Sequence, residues 1–94
     1  MSEASIGPET RVRQHPDIAS RTIDGQEVVV VPSTRKLQIL SDVATRIWQL
    51  ADGRTLSEIA DAIVEEYEVD RQRAEDDIVT LVEDMLARGM VEQV

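Results

Sequence analysis

Lys36–Tyr67, KLQILSDVATRIWQLADGRTLSEIADAIVEEY, is the stretch whose reading decides the fold. Its first five residues alternate, Leu37 and Ile39 to one side and Lys36, Gln38 and Leu40 to the other, as a strand does. Ser41 is a side chain that can cap a helix, and Val43, Ala44, Ile47, Trp48 and Ala51 then recur at helical spacing. Gly53 can end that helix in the left-handed conformation that glycine adopts without strain. Thr55 and Glu58 form the T-x-x-E pattern of a capping box, in which each side chain bonds the other residue's backbone N–H. The helix so begun turns Leu56, Ile59, Ala60 and Ile63 to one side. The stretch therefore predicts a strand over 36–40 and helices over 42–51 and 56–67.

Upstream, Asp24-Gly25 separates two extended runs, 18–23 and 26–31. Asp-Gly suits a two-residue type I′ turn, because both positions must tolerate positive φ, so a β-hairpin is expected. The unbroken β-branched run Val28–Val31 is what a strand covered on both faces would carry. Residues 1–16, punctuated by Gly7, Pro8 and Pro16 and without an apolar period, read as a flexible tail, with one domain over 17–94. Downstream, Asp70 caps a third helix over 71–88 that Gly89 stops, and Met90–Val94 is long enough for a short strand. In the third helix Ala74, Ile78, Leu81, Val82 and Met85 form one stripe, which Val79 and Leu86 widen to about 160°, against the ~100° that packs one side. Either the helix is wedged between two elements, or the Val79–Leu86 flank lines a groove, with Asp76 and Asp84 on the opposite face.

Ninety-four residues make one domain. With one Trp, one Tyr, no Phe and no Cys, the core must be aliphatic, and disulfide, thiolate and cysteine–metal chemistry are excluded. The N-terminus lacks the basic-then-apolar pattern of a secretory signal, and no apolar run is long enough to cross a bilayer, so a soluble, cytoplasmic protein is expected. The net charge is −9, and residues 41–88 hold thirteen acids against five bases. Phosphate binding needs clustered Lys and Arg, so this distribution argues against nucleic acid.

No constellation for catalysis emerges. His15 is the single histidine and lies beside Pro16 without an Asp or Ser partner by position. Ser33, Ser41 and Ser57 occupy turn and cap contexts, and the four glycines are isolated, which excludes a phosphate loop. Glu65, Glu66, Glu68 and Asp70 lack the alternating spacing of a calcium loop and read as a solvated helix end. No catalytic residue, metal site or cofactor is expected. Trp48 reads either as core or as an exposed anchor for a partner.

The order of Leu40-Ser41, Ile47-Trp48, Asp52-Gly53-Arg54-Thr55, Glu58-Ile59 and Gly89 resembles the PqqD family and related RiPP recognition elements, over about residues 18–94. Ser41 stands where that family usually has Asn. The resemblance implies an α+β, winged helix-turn-helix-like fold, with a three-stranded antiparallel N-terminal sheet packed on three helices. It also implies a non-catalytic peptide chaperone. Such a domain binds the leader of a ribosomally made precursor, as in pyrroloquinoline quinone (PQQ) biosynthesis, and presents it to a modifying enzyme, often a radical SAM protein. In that family the leader docks between the third strand and the third helix. Carried onto this chain, the site becomes Lys36, Leu37, Gln38, Ile39, Leu40, Glu75, Val79, Val82 and Leu86.

Two other functions compete. A protein–protein adaptor without a peptide substrate has the same sequence signature. A winged-helix DNA binder has the same element order, but its reading helix, Asp70–Arg88, would carry six acids against three arginines.

Overall fold

The computed structural model describes residues 6–94. In chain order the elements are β1 (Arg11–Gln14), β2 (Ser20–Ile23), β3 (Gln26–Val31), β4 (Lys36–Ile39), α1 (Asp42–Leu50), β5 (Asp52–Thr55), α2 (Leu56–Tyr67), α3 (Arg71–Ala87) and β6 (Val91–Gln93). The fold is α+β: three helices with two three-stranded antiparallel sheets, ordered β2-β3-β4 and β5-β1-β6.

Local chemistry explains most of these boundaries. Asp24 and Gly25 both have positive φ (52° and 82°), as the tight turn between β2 and β3 requires. Ser41 Oγ accepts from the Ala44 N–H, and Asp70 accepts from the Arg73 N–H, so α1 and α3 start on side-chain caps. The capping box of α2 is complete: Glu58 N–H donates to Thr55 Oγ1 at 3.1 Å and Thr55 N–H donates to Glu58 Oε1 at 2.9 Å. The Thr55 N–H, followed by the Thr55 hydroxyl that donates to Oε1 at 3.2 Å, comes first among the causes that hold the Glu58 carboxyl below its ordinary range, with Arg11 and Arg54 adding a smaller electrostatic part. Gly89 has φ 74° just past α3.

One sheet was hidden in the sequence. The expected tail contains β1, whose Val12 is fully buried, and Ile6 is buried too. Residues 1–5 of that tail lie outside the described residues. β1 is held on one side by β5 and on the other by β6, with Val12 opposite Gln93 and Gln14 opposite Val91. Gly53 (φ 104°) does not end α1, which closes on Ala51; it lies inside β5. The Val28–Val31 run is covered on one face alone. Val29 and Val31 are buried against the helices, while Val28 and Val30 turn outward and stay half-buried, because among the described residues no element lies over them.

The core is aliphatic, with Trp48 at its centre at 1% exposure, which removes Trp48 as a partner anchor. Thr45 joins sheet to helix: its hydroxyl accepts from the Glu27 N–H at 3.0 Å and donates to the Leu40 carbonyl at 3.3 Å. Between helices, Arg46 on α1 makes a two-pronged bond to Glu66 on α2, at 2.7 and 2.8 Å. That pairing raises the Arg46 pKa and lowers that of Glu66.

Candidate functional site

β4 is an edge strand: β3 pairs it on one side, and among the described residues no strand pairs it on the other. Which backbone groups face the open side follows from two hydrogen bonds. Leu40 N–H donates to the Glu27 carbonyl at 2.9 Å, and Val30 N–H donates away from β4, to Ala19. Main-chain direction alternates along a strand, so the N–H and C=O of Leu37 and Ile39 point to the open edge, and those of Gln38 point to β3. The sequence could not say which face of this strand is buried. In the fold, Leu37 and Ile39 project away from the helices and Leu40 projects inward, where it is buried.

Beside this edge lies a trough along α3. Arg88, just past the end of α3, donates to Gln38 Oε1 on β4 at 2.7 Å and bonds Asp84 at 3.0 Å, so this flank of the helix faces the strand. Asp77, Leu81, Asp84 and Arg88 follow one another at steps of four, three and four residues, the spacing of one helix face. Asp77, Thr80, Leu81 and Asp84 line an open hollow of about 480 Å³. Asp77 also borders an apolar hollow of about 110 Å³ between Val43, Tyr67 and Val69, floored by Ile47 and Ile78. The trough is therefore apolar at its α1 end and carries carboxylates along α3, with Lys36 at the start of β4.

The candidate residues divide accordingly. Lys36, Leu37, Gln38 and Ile39 share the open strand. Leu40 does not, because its N–H and C=O are already bonded to Glu27, Thr45 and Gln26. Val82 lies in the core at 1% exposure. Val79 and Glu75 line a different cavity, of about 210 Å³, with Ile6, Pro8, Leu56 and Ser57. Glu75 is bonded there to Arg71, and the paired carboxylates Glu75 and Asp61 raise the Arg71 pKa. Val79 is nine residues from Arg88, about 180° around a helix of 3.6 residues per turn. Leu86 packs against the core and shares the Val79 side by the same spacing. The structure thus turns the Leu81 flank of α3 to β4, and Asp84, expected on the far face, borders the trough. The 77-81-84-88 spacing was the available signal, obscured because three of its four residues are charged.

Solved structures of similar chains share this fold. TbiB1 in complex with the TbiA(beta) leader peptide superposes with a TM-score of 0.77 at 31% identity, covering 85% of this chain and 94% of TbiB1. A lasso peptide synthetase B1 complexed with the leader peptide matches with a TM-score of 0.72 at 34% identity, over 89% of this chain and 98% of that one. The solution structure of the PqqD truncation of Methylobacterium extorquens PqqCD, described as a functional, stand-alone RiPP recognition element, gives 0.74 at 25% identity over 95% of both chains. No curated protein sequence matches significantly. Residues 27–91 match the family model described as coenzyme PQQ synthesis protein D, and with more than half the chain matched, the chain belongs to the PqqD family.

Proposed function

We propose that this domain binds the leader segment of a ribosomally synthesised precursor as a fourth strand on β4 and presents the precursor to a modifying enzyme, a radical SAM protein or similar. The domain itself supplies recognition and no bond-breaking chemistry. The observation that carries the reading is the open β4 edge, where the main-chain groups of Leu37 and Ile39 have no strand partner among the described residues, beside an apolar-to-acidic trough. Strand addition gains main-chain hydrogen bonds from such an edge and takes specificity from alternate side chains in the neighbouring hollow. Support comes from two relatives, at 31% and 34% identity, whose structures hold leader peptides. A DNA-binding role has the acidic α3 against it.

The test is a titration with the synthetic leader of the precursor encoded beside this chain's gene. Amide shifts are expected to move at Leu37 and Ile39 and along 77–88. Leu37→Pro removes one outward N–H at an edge position that tolerates proline. It is expected to weaken the leader by about 1 kcal/mol or more, the worth of a backbone hydrogen bond, with the fold kept. Shifts confined to α1 and α2, with residues 36–39 silent, would instead favour the adaptor function.

A further inference from the structure

The outward face of the β2-β3-β4 sheet has no function in leader binding as described above, yet it carries three of the four most exposed large hydrophobic side chains among the described residues. Leu37 is 71% exposed, Ile39 66% and Ile23 51%. The register places them together: Ile39 opposite Val28, Leu37 opposite Val30, and Ile23 opposite Gln26, which lies on the same face as Val28 and Val30. A shallow hollow of about 320 Å³ runs over Ala19, Arg21, Ile23, Val28, Val30 and Leu37. Contiguous apolar surface of this kind on a small domain marks a contact site.

Charge indicates what covers it. Among the described residues, seven of the ten cations lie within 4.0 Å of a carboxylate: Arg11, Arg13, Arg46, Arg54, Arg71, Arg73 and Arg88. The three without such a neighbour are Arg21, Arg35 and Lys36, all in the β2-β3-β4 sheet or its turn. Arg21 stands opposite Val28 on the apolar face itself, and Arg35 lies in the turn that enters β4, while Lys36 alternates with Leu37 and so belongs to the opposite face. An apolar centre with a basic rim, on a chain of net charge −9, complements a protein surface with an apolar centre and an acidic rim. A second copy docked face to face would set Arg21 and Arg35 against the same cations of its partner.

We propose that this outer face docks the modifying enzyme, through an apolar, carboxylate-rimmed patch on the enzyme, while the leader occupies the β4 edge and the trough. The enzyme's identity as a peptide modifier rests on the leader-binding function proposed above; the docking face does not. Because Ile23 and Arg21 sit on β2, the far edge of the sheet from the leader, both partners can be held at once.

The test uses the full chain, the purified modifying enzyme encoded beside its gene and the synthetic leader, with each affinity measured separately. Arg21→Glu with Ile23→Glu is expected to weaken enzyme binding by roughly tenfold or more, while leader affinity stays within about twofold. Arg21→Glu alone, at an exposed position, guards against misfolding; it is expected to lower the enzyme association rate and flatten its salt dependence. Unchanged enzyme affinity in both variants overturns the proposal. So does equal loss of leader and enzyme binding with an unchanged melting curve, which would mean one shared site. A wild-type dimer that the double variant dissociates in sedimentation overturns it in favour of a second copy. If the wild-type chain binds the enzyme but no leader, the docking face stands and the leader-binding function falls.

Discussion

At the scale of single residues, the clearest dependence is on Thr55 and Glu58. Removing the Thr55 hydroxyl leaves an orphan N–H at the start of α2, so Thr55→Ala is expected to cost about 0.5–2 kcal/mol in urea denaturation with an unchanged m-value. The Glu58 carboxyl has a second consequence. Its folded-state pKa is lowered, chiefly by the Thr55 backbone bond, and that of Glu66 is lowered by Arg46. A group whose pKa falls on folding stabilises the fold above its unfolded pKa, and that stability is lost as pH drops through the folded value. The melting temperature is therefore expected to hold from neutrality down to about pH 5 and to decline below the ordinary glutamate range. Glu58→Gln is expected to shrink the decline. An acid limb of unchanged depth in that variant would show that other carboxylates govern it.

At the scale of elements, the two flanks of α3 are separable by mutation. Leu81→Asp places a charge in the trough beside β4 and is expected to weaken leader binding by about 2 kcal/mol or more, as loss of a hot spot does. Val79→Asp lies about half a turn away, beside Ile6 and Leu56, and is expected to change leader affinity much less. Titration calorimetry on both, with melting curves as a control for folding, decides between the flanks; greater loss at Val79 would restore the assignment drawn from the sequence. That assignment parts from the geometry for a physical reason. Periodicity measures how wide an apolar stripe is, but not which neighbour each side of it meets. The hairpin at Asp24-Gly25, the three caps and the ends of α2 were legible because local hydrogen bonds fix them. β1 and β5 were not: RVRQ and DGRT have little β-propensity, and only pairing with segments far along the chain makes them strands.

For the whole molecule, the second sheet changes where the domain begins. The expected boundary at residue 17 would discard β1, and with it a fully buried Val12 and the pairing partner of both β5 and β6. A chain starting at His15 is expected to be destabilised by at least about 2 kcal/mol, the scale of burying one valine side chain. Equal urea midpoints for the two lengths would show that β1 is dispensable. The same strand also sets an order of events. β2, β3 and β4 are neighbours in sequence and can pair as soon as residue 40 leaves the ribosome, since each closes only a short loop. β1 is made before its sheet partners, yet one of them, Val91–Gln93, follows all three helices. During synthesis the edge proposed to receive a peptide can exist before the helices are made, while β1 waits, unpaired on that side, for the segment beyond α3.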